Sequence, residues 1–305
     1  MNIYNAIDQI PKQKRIIVLG NFDGVHQGHR QLIARGRALA ERYDLELMVL
    51  TFYPQLQEIF QEDFRYLLSQ RAKMHILDEL GVDAVLALPF NETIAKMSPE
   101  AFAREMLLEQ LEAQYIVVGF NYTFGYKGAG TAEALKALTE PAGVETVVVE
   151  PVYVEKDLVS STCIRTMLQQ GELAKANELL GYPFTVDGIV VHGHHVGRTI
   201  GIPTANLEVD HKVALPPRGV YAVKVWLDER CYLGVLNIGM RPTVANGSDT
   251  SVEVHILDFD EDIYGDYVMV SIYHWLRGEV KFDSLEALKA QITLDMEKTR
   301  ALLKN

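Results

Sequence analysis

Short, continuous apolar runs alternate with segments of helical spacing in the first half of the chain. Residues 15–20 form the first such run, and apolar residues then recur at helical intervals over 29–42. Further strands are predicted at 45–52, 84–88, 116–119 and 144–149, with helices near 70–81, 99–112 and 132–138. Buried strands that alternate with helices are typical of a parallel sheet covered on both faces. The pattern therefore predicts an α/β domain with a doubly wound, Rossmann-like sheet.

The second half of the chain has a different pattern, in which short strand-like runs are separated by Gly, Pro and Asn. These runs cover 221–226, 232–238, 251–258 and 267–275. Their spacing predicts a small antiparallel barrel or sandwich. A terminal amphipathic helix follows, for which Asp283 and Glu286 are expected to form a capping box. Its predicted buried stripe consists of Leu285, Leu288, Ile292 and Met296.

The boundary between these two halves is predicted at the end of a helix. The helix expected over 171–180 is followed by Gly181 and Pro183, which are a C-cap and a stop signal. We therefore predict two domains, at residues 1–182 and 183–305.

Composition and charge limit the partners of the protein. The 305 residues include 29 basic and 41 acidic side chains, a net charge of −12, which disfavours nucleic acid and anionic membrane surfaces as partners. Cys163 and Cys231 are too few for a disulfide framework and favour a reducing compartment. The chain shows neither a signal-peptide core at residues 1–10 nor an apolar stretch of membrane-spanning length. We expect a cytoplasmic protein that acts on small molecules.

A glycine-containing loop, residues 20–29, connects the first predicted strand to the first helix. Its glycines allow the backbone to approach a ligand, and the helix N-terminus directs N–H groups and a positive dipole toward it. His26 and His29 share one face of the opening turn. There they can donate hydrogen bonds to phosphate oxygens whose charge grows during attack at phosphorus. The alternatives are a glycine turn with two surface histidines, or a zinc site, which is disfavoured because the HExxH spacing and a third ligand are missing.

A second glycine-rich region, residues 193–206, lies near the start of the second domain. Its backbone N–H groups can surround a phosphate chain. The Thr204 hydroxyl and the Asn206 carbonyl are hard oxygen donors of the kind that Mg²⁺ accepts. Glu253 alternates with apolar residues in a predicted strand, so it faces away from the core, where a substrate could reach it. The residues alone leave a simple turn and a solvated strand glutamate open as alternatives.

Other motifs that could indicate a nucleotide or metal site are either missing from the chain or incomplete. The chain has no GxxxxGK[ST] P-loop, and no GxGxxG follows a strand. His192, His194 and His195 do not indicate a metal site, because adjacent residues on a strand point to opposite faces and no Cys, Asp or Glu completes a ligand set.

Three segments of the first domain resemble the prokaryotic FAD synthetase family. Residues 20–29 are similar to the GxFDGxHxGH signature of the nucleotidyltransferase superfamily in the form found in that family. Residues 119–125 resemble its flavin-side loop, and residues 159–165 its SSTxIR motif, with Cys163 at a position that is often basic. The resemblance implies that His26, His29 and Arg165 are catalytic. It also implies ligand contacts from Gly20, Asn21, Phe22, Asp23, Gly24, Asn121, Ser160, Ser161 and Thr162.

The second domain resembles the riboflavin kinase family, whose PTAN motif matches residues 203–206. Segments 219–222, 237–243, 253–259 and 276–282 also fit that family. The resemblance implies Mg²⁺ ligation by Thr204 and Asn206. It implies that Glu253 orients the 5′-hydroxyl of riboflavin and accepts its proton late in transfer. It further implies ligand contacts from Gly197, Arg198, Gly201, Pro203 and Asn237.

Together the two resemblances cover nearly the whole chain and imply a bifunctional enzyme. Its substrates would be ATP, riboflavin and FMN, and its cofactor would be Mg²⁺. Its products would be FMN, FAD and pyrophosphate. Self-association is left open by the sequence. One alternative is another nucleotidyltransferase, such as a cytidylyltransferase or a pantetheine-phosphate adenylyltransferase, which leaves residues 203–206 and Glu253 without a role. A second alternative is a flavin-sensing regulator with inactive sites, which predicts that motif residues are lost.

Overall fold

The computed structural model describes residues 1–55, 58, 61, 63–193, 201–240 and 250–303. Contacts divide the chain into two compact units. The first comprises Met1–Arg65 and Lys73–Ser160, and the second comprises Tyr66–Ala72 and Ser161–Asn305. No helix among the described residues is both long enough and apolar enough to cross a lipid bilayer.

The first unit is built around a parallel sheet. Its strands are β1 (Asn2–Tyr4), β2 (Arg15–Leu19), β3 (Glu46–Phe52), β4 (Ala84–Leu88), β5 (Ala113–Gly119), β6 (Thr123–Phe124), β7 (Gly130–Thr131), β8 (Glu145–Val149), β9 (Tyr153–Val154) and β10 (Asp157–Leu158). Six of them pair in parallel in the order β1-β4-β3-β2-β5-β8. The chain winds from β2 toward β3 and β4, and then crosses to β5 on the other side of β2. The carboxyl ends of β2 and β5 therefore flank a topological switch point, where open α/β sheets bind ligands.

Helices cover both faces of this sheet. They are α1 (Gln27–Tyr43), α2 (Gln70–Glu79), α3 (Glu92–Ala95), α4 (Pro99–Ala101, which continues as the π-helical segment Phe102–Gln110) and α5 (Ala132–Thr139). On one face, Gly36 of α1 comes so close to β2 that an added Cβ would lie 2.6 Å from Val18 Cγ2. On the other face, Ile17 and Leu19 share a buried cluster with Met106. The predicted doubly wound architecture is thus confirmed, although the short edge strand β1 was not anticipated.

The second unit contains a closed antiparallel barrel. Its strands are β11 (Phe184–Val191), β12 (Ala205–Val209), β13 (Gly219–Leu227), β14 (Arg230–Met240), β15 (Thr250–Ile256) and β16 (Tyr267–Arg277). They pair in the order β11-β12-β15-β14-β13-β16, and β16 returns to β11. Val186, Val223, Leu236, Val254 and Val270 are buried along the barrel strands. The predicted small antiparallel barrel is therefore confirmed, and the barrel closes instead of forming a sandwich.

Two helices that precede the barrel in sequence belong to the same unit. They are α6 (Ser161–Gln169) and α7 (Leu173–Leu180). The side chain of Asn177 accepts a hydrogen bond from the Phe184 N–H at 2.7 Å and donates one to the Ile272 carbonyl at 3.0 Å. These bonds fasten α7 to the barrel strands. The division by contacts therefore falls between Ser160 and Ser161, earlier in the chain than the boundary predicted at 182/183.

The terminal helix α8 (Leu285–Leu303) is present, but its cap and its buried face differ from the prediction. Ser284, and not Asp283, caps it: the Ser284 hydroxyl accepts a hydrogen bond from the Ala287 N–H at 3.1 Å. Leu285 is 52% exposed, whereas Asp295 is fully buried. The helix turns a charged residue inward because Arg277 is there to pair with it, which apolar spacing alone could not indicate.

A short segment from the first half of the sequence completes the second unit. Tyr66 forms a parallel bridge with Val213, its N–H donating to the Lys212 carbonyl at 2.7 Å. The Ser69 hydroxyl donates to Asp187 Oδ2 at 2.7 Å, and the Tyr267 hydroxyl donates to the same atom at 2.8 Å. Residues 66–72 are thereby tied to the barrel by backbone and side-chain bonds.

Candidate active sites

The loop of residues 20–29 begins at the carboxyl end of β2, beside the switch point of the sheet. His26 is the N-cap of α1, and its Nδ1 accepts a hydrogen bond from the His29 N–H at 3.3 Å. Because Nδ1 is an acceptor in this bond, a neutral His26 carries its proton on Nε2. An imidazole thus satisfies one of the free N–H groups at the helix N-terminus.

The two imidazoles form a stacked pair. The ring centroids of His26 and His29 are 3.7 Å apart with an interplanar angle of 15°, and the Phe22 ring lies 5.0 Å from His29. His29 Nδ1 is buried and has no hydrogen-bond partner among the described residues. A buried polar atom without a partner is unfavourable. His29 therefore has unused hydrogen-bonding capacity in the loop.

Burial determines the charge of this pair. It lowers the pKa of His26 to about 4. Burial also holds the pKa of His29 well below its usual range, with further lowering from the charges of His26 and Lys73. Both imidazoles are consequently neutral near pH 7, so they can act as hydrogen-bond donors and acceptors but do not supply positive charge.

Three side chains that the sequence analysis missed converge on the carbonyl oxygen of Asn21. The Thr51 hydroxyl lies 3.1 Å from it, the Gln55 amide nitrogen 3.2 Å and the Lys73 ammonium 3.5 Å. Burial lowers the pKa of Lys73 to about 8, and the charge of Asp23 acts in the opposite direction. The one sequence feature that could have indicated this cluster of donors is Lys73 itself, a charged residue on the otherwise apolar face of a predicted helix.

The backbone of the loop is held in an unusual conformation. Phe22, Gly24 and Val25 all have positive φ angles, of 51°, 79° and 36°. This is routine for glycine but rare for a β-branched residue such as Val25, which persists there only when its surroundings fix it. At Gly28 an added Cβ would lie 3.2 Å from the His26 ring and 3.9 Å from the Val159 carbonyl. Val159, and hence Ser160, therefore lies beside the loop.

The predicted flavin-side loop follows β5, the strand next to β2. Asn121 is exposed there, and Tyr122 packs against Phe124, their ring centroids 5.9 Å apart. Phe124 pairs with Gly130 between β6 and β7. The structure thus places Asn121 at the same edge of the sheet as the residue 20–29 loop.

The remaining residues of the SSTxIR motif lie on α6. Ser161 begins this helix, and the Thr162 carbonyl accepts a hydrogen bond from the Thr166 hydroxyl at 3.0 Å. Arg165 follows on the next turn and is half-buried. Because α6 belongs to the second unit, the assignment of these residues to the residue 20–29 site stays a prediction.

In the second unit, Asn206, Glu253 and Asn237 form a row across three adjacent strands. Asn206 of β12 is in register with Glu253 of β15, which is in register with Asn237 of β14. Residues directly opposite in antiparallel strands share a face. Val252 and Val254 beside Glu253 are buried. Glu253 consequently faces away from the barrel interior, as the alternation of its strand indicates.

Asn237 and Glu253 of this row line a cavity of about 380 Å³. Its polar lining consists of Thr204, Asn237, Glu253, His255, Arg277, Glu279 and Asp295, and its apolar lining of Ile202, Val220, Val235, Val280, Phe282, Leu288 and Ile292. The volume is within the range of small-molecule sites. Leu288, Ile292 and Asp295 come from α8, so the terminal helix forms one wall of the cavity.

Two contacts hold the PTAN segment and the helix wall in place. His255 Nδ1 donates to the Pro203 carbonyl at 2.7 Å, which joins the segment to β15. Arg277 Nη2 lies 2.8 Å from Asp295 Oδ2, which joins β16 to α8. An added Cβ on Gly193 would lie 2.2 Å from Asn206 Nδ2, so a larger residue there would displace that amide.

The other predicted residues of this region differ in how far the structure describes them. Gly201 is described, with a φ of 75°, as is Pro203. Gly197 and Arg198 lie outside the described residues, as do His194 and His195. His192 is described and packs against Tyr264, with ring centroids 3.9 Å apart.

Two family models match the two halves of the chain. Residues 8–163 match the FAD synthetase family, and residues 180–303 match the riboflavin kinase family. The first range contains the stacked histidine pair, and the second contains the cavity beside Glu253. The fold and the sites thus define a two-domain protein, with one domain from each of these two families.

Relatives with both domains are similar over nearly their whole length. A bifunctional riboflavin kinase/FMN adenylyltransferase of Listeria monocytogenes is 37% identical over 290 residues, which cover 94% of this chain and 92% of the relative. That of Escherichia coli is 38% identical over 292 residues, which cover 95% and 93%. A crystal structure described as a macrolide-efflux protein from Streptococcus pneumoniae superposes with a TM-score of 0.86 at 35% identity and covers 98% of both chains. The chain belongs to the family of bifunctional riboflavin kinase/FMN adenylyltransferases.

Proposed function

We propose that this chain phosphorylates riboflavin to FMN and then transfers the adenylyl group of ATP to FMN, giving FAD and pyrophosphate. The observation that carries the proposal is that each of two separately matched domains contains its own buried polar site. We assign adenylyl transfer to residues 1–182 and riboflavin phosphorylation to residues 183–305. Both reactions are in-line attacks of a bound oxygen on phosphorus, so positioning and charge stabilisation account for catalysis.

In the kinase site, Glu253 acts on the 5′-hydroxyl of riboflavin. Its carboxylate lies at the cavity, between two amide-bearing neighbours, where it orients the hydroxyl and accepts its proton late in transfer. The apolar lining accommodates the flavin ring system and excludes water. Ligand contacts from Gly197, Arg198, Gly201, Pro203 and Asn237 are part of this proposal.

The donor atoms beside the cavity fit Mg²⁺. Thr204 and Asn206 offer a hydroxyl and an amide oxygen, the hard ligands that this ion takes alongside water and phosphate. When bound, Mg²⁺ neutralises charge on the phosphates of ATP. Asn206 is 8% exposed and packed against Gly193, so its side chain is already enclosed before the nucleotide arrives.

In the adenylyltransferase site, a phosphate oxygen of FMN attacks the α-phosphorus of ATP, and pyrophosphate leaves. His26 and His29 are neutral hydrogen-bond donors to the phosphoryl oxygens, next to the positive end of the α1 dipole. The backbone of Gly20, Asn21, Phe22, Asp23 and Gly24 approaches the nucleotide. Asn121 contacts the flavin, while Ser160, Ser161, Thr162 and Arg165 bind phosphate.

The alternatives explain less of the chain. Another nucleotidyltransferase accounts for His26 and His29 but gives no role to the cavity beside Glu253. A regulator with inactive sites predicts missing motif residues, yet Thr204, Asn206 and Glu253 are all present. We further propose that the protein acts in the cytoplasm on small molecules, without nucleic acid or membrane partners.

One incubation tests both activities. The purified chain is mixed with riboflavin, ATP and MgCl₂, and the flavins are resolved by chromatography over time. FMN should appear first and FAD afterwards, and a parallel reaction with EDTA should form neither. Absence of both products would remove the proposal, and FMN that never becomes FAD, even when supplied at high concentration, would remove its adenylyltransferase half.

A further inference from the structure

The carbonyl group of Asn21 is oriented by buried side chains that lie outside the motifs. Thr51, Gln55 and Lys73 are each no more than 2% exposed, and all three donate to this one oxygen. In a trans peptide the N–H points opposite to the C=O. The N–H of Phe22 is therefore directed away from these donors. The three side chains consequently fix the orientation of the peptide that opens the positive-φ turn.

Lys73 differs from the other two donors because it carries a charge. A carbonyl oxygen has two lone pairs, and Thr51 and Gln55 lie closer to it than the ammonium does. Within the described part of the chain, this oxygen is the one hydrogen-bond acceptor of the Lys73 ammonium. The charge of Asp23 offsets only part of the effect of burial, because the pKa of Lys73 is still lowered to about 8. A buried ammonium with one hydrogen-bond acceptor among the described residues destabilises a fold. Retaining one at such a position indicates a function that offsets the cost.

The location of Lys73 indicates what that function is. The adjacent imidazoles of His26 and His29 are neutral, so they bring no positive charge to the loop. A bound triphosphate carries several negative charges and is stabilised by a nearby cation even through one layer of backbone, because the surroundings are poorly screened. Lys73 places its ammonium directly behind the first peptide of the loop.

We propose that Lys73 is a positioning residue of the adenylyl-transfer site, which fixes the Asn21–Phe22 peptide toward the nucleotide and supplies positive charge behind the loop for the polyphosphate. This inference rests on the proposed function of the first domain and adds a residue outside its motifs. Lys73 acts through the loop and does not itself contact the reacting atoms. Its loss should therefore weaken nucleotide binding without unfolding the domain.

The test compares Lys73→Met with the wild type in the full-length protein. Methionine matches the length of the aliphatic stem and removes the charge. We expect the KM for ATP in FMN adenylylation to rise roughly tenfold, because the polyphosphate loses the attraction of a nearby buried cation. The midpoint of thermal unfolding should stay the same or rise, because a buried charge is replaced by an apolar group. Riboflavin phosphorylation by the same preparation should be unchanged.

Thr51→Val serves as the matched control, because it removes a neutral donor from the same carbonyl. It should raise the KM for ATP less than Lys73→Met does. The proposal is wrong if Lys73→Met keeps the wild-type KM and kcat, if Thr51→Val has an equal effect, or if Lys73→Met lowers the unfolding midpoint and both activities together. Wild-type protein that makes no FAD from FMN would instead remove the proposed function of the domain.

Discussion

Asn206 and Glu253 are in register on adjacent antiparallel strands, so an amide and a carboxylate lie side by side, and Glu253 lines the cavity next to α8. Val254, the next residue after Glu253, is fully buried in the barrel. A rigid strand therefore sets the position of the carboxylate, and neighbouring strands supply the polar groups around it. Sites built on sheet strands hold their geometry better than sites built on loops.

The first prediction concerns this carboxylate. Glu253→Gln keeps the size of the side chain but removes its ability to accept a proton. The rate of riboflavin phosphorylation should fall by about 10²-fold or more, the usual contribution of a general base. Conversion of supplied FMN to FAD should be unaffected. Both rates are measured by chromatography of the flavins.

Glu208→Gln is a suitable control for this change. Glu208 is an exposed carboxylate on β12, outside the cavity lining. Its variant should phosphorylate riboflavin at the wild-type rate. A Glu253→Gln protein that does the same would contradict the assigned role of Glu253.

The second prediction concerns the stacked histidine pair. His29→Ala removes a ring that packs on both Phe22 and His26. The variant should make FMN from riboflavin at the normal rate but should stop there, with FAD formation reduced by about 10²-fold or more. Product chromatography after prolonged incubation would show FMN accumulating. The control is His75→Ala, which removes an exposed histidine paired with Glu79 and should leave FAD formation intact.

The third prediction is a pH dependence of stability. In the folded protein the pKa of His26 is about 4, below the ordinary value of 6.5 that it has when unfolded. Between these values the unfolded chain binds the extra proton, so the fold loses stability as the pH falls from 6.5 toward 4. The shift corresponds to a loss on the order of 3 kcal/mol at its limit. Urea unfolding followed by circular dichroism at pH 7.5 and 5 measures it.

The variant His26→Asn separates the effect of His26 protonation on stability from the other effects of low pH on the fold. Asparagine caps helices well and does not titrate in this range, so α1 should keep its cap. The stability difference between the two pH values should shrink in the variant. An unchanged difference would show that protonation of His26 does not limit stability in acid.

The fourth prediction concerns the buried ion pair beside the cavity. Asp295→Asn leaves Arg277 without its charged partner, and breaking a buried pair in this way should cost about 3 kcal/mol of unfolding free energy. Both tryptophans of the chain, Trp226 and Trp275, lie in the second unit, so their fluorescence reports its unfolding in urea. The double variant Arg277→Met, Asp295→Leu should recover much of the loss.

The exposed pair of Arg300 and Asp258 provides the comparison. It joins the same helix α8 to the barrel side of the unit but is open to solvent. Arg300→Met should change the unfolding midpoint little, because exposed ion pairs contribute little. An equal loss from both single variants would mean that burial does not distinguish the two pairs.

Much of the fold could be predicted because burial produces a regular pattern of apolar residues in the sequence. β2 is buried at every position and, after Arg15, reads as a continuous apolar run, whereas β15 reads as an alternation that places Glu253 on the outer face. The features that were missed have no such pattern. β1 is a three-residue edge strand, and the inward turn of Asp295 depends on a partner eighteen residues earlier in the chain, Arg277.

The candidate sites could be predicted to the extent that motifs mark them. His26 and Glu253 belong to recognisable segments, so their positions were proposed from sequence. Thr51, Gln55 and Lys73 share no motif, because a backbone carbonyl can be reached from any direction by any donor. Only the folded chain brings these three together at Asn21.

The heptapeptide Tyr66–Ala72 has a practical consequence for anyone who wishes to express the kinase half alone. It supplies a bridge to Val213 and a hydrogen bond to Asp187, yet it lies far upstream of the rest of that unit. A gene fragment that starts at Ser161 would omit it and leave the Asp187 carboxylate with one hydroxyl donor fewer. Such a fragment should be more stable if the missing peptide were fused to it through a flexible linker.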